Sequence, residues 1–210
     1  MSYSWYFLDD YNMISKLPFV VIDVETTGSH PVMDRIIEIG AVKVLDGQVI
    51  DTLSTFINPG RNIPPTITWL TGITNRHTAN APSFFEEAER ISNFLKGQVF
   101  VAHNALFDYR FVNAELVRSA CTPLENSIIC TLQLARRTFP GLIHYNLGDL
   151  CRTLKIHHER AHRANADALA TAHLLIRMIK KLTACGFEEL GRFQEFYERS
   201  PKECAALLQA

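Results

Sequence analysis

FVVIDVETTG, residues Phe19–Gly28, is the stretch from which the rest of the chain is read. Phe19, Val20, Val21 and Ile22 form an unbroken apolar run rich in β-branched residues. Such a run predicts a strand buried on both faces, hence a central one. It ends in Asp23 and Glu25, one residue apart, then Thr26, Thr27 and Gly28. Residues i and i+2 of a strand point the same way, so the two carboxylates project from one face. Held that close in an apolar setting they repel each other and are costly to desolvate. A divalent cation would turn the repulsion into attraction, and carboxylate oxygens suit Mg²⁺ or Mn²⁺. A strand closing in a polar turn is the plainer explanation, and Thr-Thr-Gly fits it. The remaining carboxylates decide between the two.

Working outward, Arg35 to Val44 (RIIEIGAVKV) predicts a second strand, Asp46-Gly47 a hairpin turn, and Gln48 to Ile57 a third strand. The three read as an antiparallel meander. Arg61 to Asn80 reads as a loop. A helix opens at Pro82-Ser83 and runs to Gly97, with Phe84, Phe85, Ala88, Ile91, Phe94 and Leu95 at helical spacing. Val99 to Ala102 is a short buried strand. Asn104 is read as opening or capping a helix to about Ser119, with Phe107, Phe111, Ala114 and Leu116-Val117 inward. Ser127 to Cys130 reads as a strand, Leu132 to Thr138 and Asn146 to Leu154 as helices, and Ala164 to Leu182 as the strongest helix of all. Strands followed by alternating helix and strand predict an α/β domain with a mixed sheet. Residues 1–17 read as an N-terminal extension whose Trp5, Tyr6, Phe7 and Leu8 pack on the domain. Residues 18–182 read as the domain itself, and 183–210 as a helical tail packed on it.

A chain of 210 residues with 47% hydrophobic residues can bury a sizeable core. No apolar run is long enough for a bilayer, and the aromatic, acidic N-terminus lacks the charge pattern of a signal peptide. The five scattered cysteines lack zinc spacing and read as reduced thiols of a cytoplasmic protein. A net charge of −1 argues against a broad non-specific nucleic-acid surface, but not against a small groove where metal ions supply the positive charge.

Two further segments bear on the carboxylates. In VFVAHNALFD, the strand delivers His103-Asn104, and Asp108 follows one helical turn later; an aspartate there commonly serves only the helix dipole. In AHRANADALATAHLL, His162 precedes a helix and Asp167 lies on its first turns beside Ala164, Ala168, Ala170 and Ala172. Alanines allow close approach, which would press Asp167 toward the sheet, where a charge needs a partner. Asp23, Glu25, Asp108, Asp167 and His162 together form a set suited to in-line phosphodiester hydrolysis with two divalent ions about 4 Å apart. Histidine is the residue type fitted to take a proton from the attacking water.

On DVETTG (Asp23–Gly28), HNALFD (His103–Asp108) and HRANAD (His162–Asp167), the chain resembles the DEDDh subgroup of the DnaQ-like 3′→5′ exonucleases. It looks most like the epsilon-type exonucleases of bacterial DNA polymerase III. RIIEIGAVKV, LTGIT at Leu70–Thr74, CTLQLARRTFP at Cys130–Pro140 and the following NLGDLC add to the likeness, which spans about Pro18 to Met178. The resemblance implies an RNase H-like α/β fold with a five-stranded mixed sheet in the order 3-2-1-4-5, flanked by helices. It implies removal of mononucleotides from a DNA 3′ end with two Mg²⁺ or Mn²⁺ ions. Asp23, Glu25 and Asp167 would hold the first ion; Asp23 would bridge to the second, supported by Asp108; His162 would be the general base. The backbone at Thr26 and Thr27 would grip the 3′-hydroxyl. Leu70 and Ile73 would wall the terminal base, with Asn104 and Phe107 opposite, although ordinary core packing explains the apolar members equally well.

Arg160 and Arg163 bracket His162 and are candidates for steering a phosphate backbone; Arg136 and Arg137 suit an exposed helix face equally well. His144, His157 and His158 read as surface residues. The short charged tail lacks a linker or clamp-binding motif, which favours a stand-alone enzyme over a polymerase subunit. RNA 3′-end trimming of the RNase T type is the alternative, and a catalytically inactive binding module a third.

Overall fold

The structure is a computed structural model, and it describes residues 12–159 and 162–209. The expected packing of Trp5, Tyr6, Phe7 and Leu8 and the expected role of Arg160 lie outside the described residues.

β1 (Phe19–Thr26), β2 (Ile36–Leu45) and β3 (Gln48–Phe56) form the antiparallel meander; β4 (Val99–Ala102) and β5 (Ile128–Cys130) add in parallel, giving a sheet in the order β3-β2-β1-β4-β5. This is the predicted mixed sheet. β1 is central and covered on both faces. Phe19 and Val21 enter one core with α7 (Ala164–Ala184), while Val20, Ile22 and Val24 enter another with α3 (Phe84–Leu95) and α4 (Leu106–Arg118). The period of two then carries Asp23 and Glu25 onto the α7 face, as residues 19, 21, 23 and 25 share one side.

β4 pairs with β1 only as far as Val21. Beyond that point β1 has no strand on its β4 side, and the first turn of α4 comes in there. The crevice past the carboxyl ends of strands is where open α/β sheets bind ligands. On the other flank, β2 registers Gly40 against Asp23 and Glu38 against Glu25. A Cβ on Gly40 would lie 2.4 Å from the backbone of Ala164 and 2.5 Å from the nitrogen of Asn165, so the start of α7 rests directly on the β2 backbone.

Three local readings are corrected. The segment 61–80 is not a loop throughout: it holds α1 (Pro65–Thr71) and α2 (Asn75–Thr78). Pro65 takes a first-turn position, where its missing N–H costs nothing, and Gly72 closes α1 at φ 71°. Thr74 and His77 then form a reciprocal cap on α2. Elements of one or two turns leave no periodic signal. Asn104 does not cap α4; it sits at φ 70°, two residues before the helix begins. Val117, read as inward, is 52% exposed, and Phe85, counted in the helical period, is 72% exposed.

Farther along, α5 (Thr131–Thr138) and α6 (Leu147–Leu154) lead to α7, and α8 (Leu190–Glu198) and α9 (Pro201–Leu207) follow it. Leu190, Phe193, Phe196, Tyr197 and Cys204 of the tail share the α7-side core with Ile14 and Leu17. The Tyr197 hydroxyl accepts the N–H of Cys130 at the end of β5 (2.9 Å). Among the described residues no helix is long and apolar enough to cross a membrane.

Gly40→Ala should destabilise the fold by about 1–3 kcal/mol, the usual penalty of overpacking, because the obstructing atoms are backbone. Urea denaturation of the two proteins would read it, and an unchanged midpoint would contradict the close approach.

Candidate nuclease active site

The site is assembled from three distant parts of the chain. Asp23 and Glu25 come from β1, Asp108 from the first turn of α4, and Asp167 from the first turn of α7. Asp108 is 4% exposed and Asp167 8%, an unusual depth for charged groups. Asp108 Oδ1 accepts the backbone N–H of Val24 (3.2 Å), which lies beyond the end of the β1–β4 pairing. That bond brings a residue from the opposite face of the sheet round to its edge.

Asp167 is held through both oxygens. Oδ2 accepts the backbone N–H of His162 (3.0 Å), and Oδ1 lies 2.5 Å from His158 Nε2. His162 itself adopts φ 65°, a left-handed conformation rare for residues other than glycine. Ligand atoms of Glu25, His162 and Asp167 all lie within 4.8 Å of one another.

The electrostatics follow from this crowding. Burial, then Asp108, Asp167, Glu25 and Glu38, drives the Asp23 carboxyl well above the usual carboxylate range. Burial, with Asp167 and Glu38 behind it, lifts Glu25 to about 7, although Arg163 pulls the other way. Asp108 is lifted to about 8, chiefly by burial, against the hydrogen bonds it accepts. Among the described residues, neither Asp23 nor Glu25 has a hydrogen bond or ion pair to its carboxylate. Clustered, partly buried acceptors of one sign, offset only by Arg163 near Glu25, fit a divalent ion bound through oxygen. Loading such an ion would return these groups to the charged form.

The five residues expected to do the chemistry therefore converge. The substrate-side expectations divide. Leu70 is 47% exposed on α1 and Asn104 is exposed at the end of β4. Phe107 is half-buried, with its ring against Phe111 (4.9 Å between centroids). Ile73 is corrected: it is 1% exposed, packed with Ile37 and Ile63, and supports α1 from beneath instead of facing a ligand. Thr27 is also engaged internally, its N–H donated to the Arg35 carbonyl (2.8 Å) and its hydroxyl accepting the N–H of Arg35 (3.0 Å). The Thr26 hydroxyl donates to the Gly28 carbonyl (2.5 Å). His103 is consumed by Thr131 (3.0 Å) and the Tyr145 carbonyl (2.9 Å), so it positions the loop after β4.

Two residues escaped the reading of the sequence. His158, taken for a surface residue, contacts Asp167 with only 10% of its side chain exposed; nothing in a paired His-His of a loop signals this. His157 pairs with exposed Glu159, and His144 is exposed, as expected. Glu38, 2% exposed, had a visible signal: it is the one acid in the strand RIIEIGAVKV.

A family profile described as Exonuclease (RNase T) matches residues 20–175, most of the chain and all of the site residues above. The chain belongs to this exonuclease family. It is 36% identical over 196 residues to the 3′-5′ exonuclease DinG of Bacillus subtilis (strain 168), covering 93% of this chain and 21% of that protein. It is 42% identical over 164 residues to DNA polymerase III PolC-type of Clostridium perfringens (strain 13 / Type A), covering 78% of this chain and 11% of that protein. The exonuclease chain thus spans roughly a tenth to a fifth of the length of these curated relatives. Among solved structures, exonuclease X in complex with 5′ overhanging duplex DNA superposes with a TM-score of 0.62 at 28% identity, covering 90% of this chain and 99% of that one. E. coli exonuclease I with a dT13 oligonucleotide superposes at 0.72, covering 80% of this chain and 42% of that one; at 22% identity this likeness speaks for the fold alone.

The sign of the pH dependence follows from the raised values. Glu25 and Asp108 hold their protons in the folded chain up to about 7 and about 8, but release them near 4.5 and 3.8 when unfolded. Between those limits the native state binds more protons, so stability falls as pH rises. In chelator, the melting temperature should drop from pH 5 to pH 8, and Asp108→Asn should flatten the slope. A melting temperature that rises over that range in chelator would refute the crowding.

Proposed function

We propose that this chain is a 3′→5′ exonuclease that releases nucleoside 5′-monophosphates from the 3′ end of DNA. The observation that supports it most is the convergence of Asp23, Glu25, Asp108 and Asp167 with His162, delivered by three motifs far apart in the chain. Asp23, Glu25, Asp108 and Asp167 would hold two divalent cations, Mg²⁺ or Mn²⁺, which would supply activation of water and charge stabilisation at the phosphate.

The chain's own groups do the rest. His162, exposed at the mouth of the site, accepts a proton from the water that attacks phosphorus. The bond from phosphorus to the 3′-oxygen of the preceding nucleotide breaks. The departing oxygen is protonated, leaving a shortened chain with a free 3′-hydroxyl and a nucleoside monophosphate. His158 and the His162 N–H keep Asp167 aimed while this happens. Leu70 and Asn104, both exposed, would flank the terminal base. Trp69, 88% exposed next to Leu70, offers an aromatic face on which an unpaired base stacks. That favours single-stranded ends. A cytoplasmic location fits the five free cysteines. A polymerase catalytic subunit is a candidate partner, on the strength of the PolC-type relatives.

A time course on 3′- and 5′-labelled DNA and RNA oligomers of one sequence, with Mg²⁺, Mn²⁺ or EDTA, tests polarity, metal and sugar together. Mononucleotide should be the first product of 3′-labelled single-stranded DNA, and EDTA should abolish it. Equal or faster loss from RNA would favour the RNase T type of activity instead. Asp23→Ala should remove detectable activity, and His162→Ala should lower kcat by roughly 10²- to 10⁴-fold, the usual worth of a general base. Full activity in Asp23→Ala would refute the metal assignment.

A further inference from the structure

We propose that Glu38 and Arg163 are positioning residues of the catalytic centre: the ion pair between buried Glu38 and partly exposed Arg163 clamps the start of α7 to β2 and so fixes His162 and Asp167 against β1. The geometry is two-pronged. Arg163 Nη2 donates to Glu38 Oε1 at 2.8 Å, and Nε lies 3.2 Å from each oxygen. The Ala164 N–H donates to Oε2 at 3.0 Å. One carboxylate therefore holds both a side chain and a backbone group of consecutive residues. The guanidinium also lies over the Phe56 ring, 5.1 Å from its centroid, and Phe56 is the residue opposite Glu38 on β3. A planar fork with five donors suits this arrangement in a way a lysine ammonium does not.

Glu38 stands directly across from Glu25, yet its oxygens are taken up by protein donors. It is therefore distinct from Asp23 and Glu25, which have no such partners among the described residues, and it is not a metal ligand. Its partner Arg163 is the residue after His162, whose left-handed backbone persists only if its neighbours hold it. One side of His162 is tied by its N–H to Asp167; the other is tied through Arg163 to the sheet. Asp167 in turn donates its own N–H to the Arg163 carbonyl (3.0 Å). The base, the metal ligand and the clamp thus form one closed circuit. Arg163, read from the sequence as a phosphate-steering residue, is engaged with Glu38 instead.

The inference rests on the proposed catalytic roles of His162 and Asp167, and its test has a readout that does not need them. Arg163→Gln, Arg163→Lys and Glu38→Gln should be compared in the full chain. Mn²⁺ affinity is measured by calorimetry without nucleic acid, kcat and KM on a single-stranded DNA oligomer, and folding by thermal melting. Arg163→Gln should weaken Mn²⁺ binding by about 10- to 100-fold, as loss of a ligand's support does. Its kcat should fall while KM moves less than about two-fold, since a group made to orient the reacting residues adds little to ground-state binding. Arg163→Lys should recover only part of the loss. Combining Glu38→Gln with Arg163→Gln should add little to the single change, because both break the same link. If Glu38→Gln fails to fold, the two Arg163 variants, altered at a partly exposed side chain, still decide the matter. A raised KM with unchanged kcat and Mn²⁺ affinity in Arg163→Gln would overturn the clamp and make Arg163 a phosphate contact. Weakened Mn²⁺ binding in a chain that degrades no nucleic acid would refute the exonuclease reading and leave the clamp standing.

Discussion

At Gly40, α7 begins so close to β2 that no side chain fits between them. There the backbone of Ala164 and Asn165 occupies the place of a Cβ. That contact fixes the depth at which the helix approaches the sheet, and the rest of the site depends on it. A helix standing one side chain farther out would leave Asp167 short of Glu25 and His162 short of both. Ala168 and Ala172, fully buried, extend the close contact along the helix. The alanine stripe noted in the sequence is thus a distance setting as well as a core.

Closeness brings a penalty, because it gathers buried carboxylates of one sign. The protein offsets part of it with backbone donors, a histidine and the Arg163 guanidinium. Val24 N–H serves Asp108, His162 N–H and His158 serve Asp167, and Arg163 with Ala164 N–H serves Glu38. Asp23 and Glu25 stand outside this compensation among the described residues. Their raised proton affinity in the metal-free chain follows, since burial among like charges disfavours the charged form and Arg163 offsets this only in part at Glu25. The residual imbalance would give a divalent cation its differential affinity for the folded state. Stability and function are opposed here: the carboxylates that would bind the ion are those that least favour the empty fold.

Much of this was legible before any coordinates. The apolar run Phe19–Ile22 announced a central strand, and its period of two put Asp23 and Glu25 on one face. The strand and long-helix boundaries fell within a residue or two of the structure. What the sequence withheld has physical reasons. α1 and α2 are too short for a helical period, and their signals are caps and a left-handed glycine instead. Ile73 and Leu70 look alike in a string, but only the fold decides which of the two points into the core. His158 is legible in no way, since its contact with Asp167 is made by a loop arriving from nine residues away. Glu38 was legible in principle, as a lone acid in a buried strand, a placement that demands a partner.

The same topology explains why the site opens where it does. β1 runs on beyond its pairing with β4, which ends at Val21. The next residues toward the carboxyl end, Asp23 to Thr26, therefore have a strand on one side only. α4 fills the vacant side with a single carboxylate, and the turn after β1 is stiffened by Asp34. Asp34 Oδ2 accepts the N–H of His30, and its carboxylate occupies the space a side chain on Gly28 would need. A substrate end would thus meet a floor on β1, a wall at α4 and a helix seated on backbone contact. Among the described residues, His158 and His162 lie outside the sheet, in the segment between α6 and α7. Reaction geometry then turns on how firmly that segment is tied, and its one charged tie to the sheet among the described residues is Arg163 to Glu38.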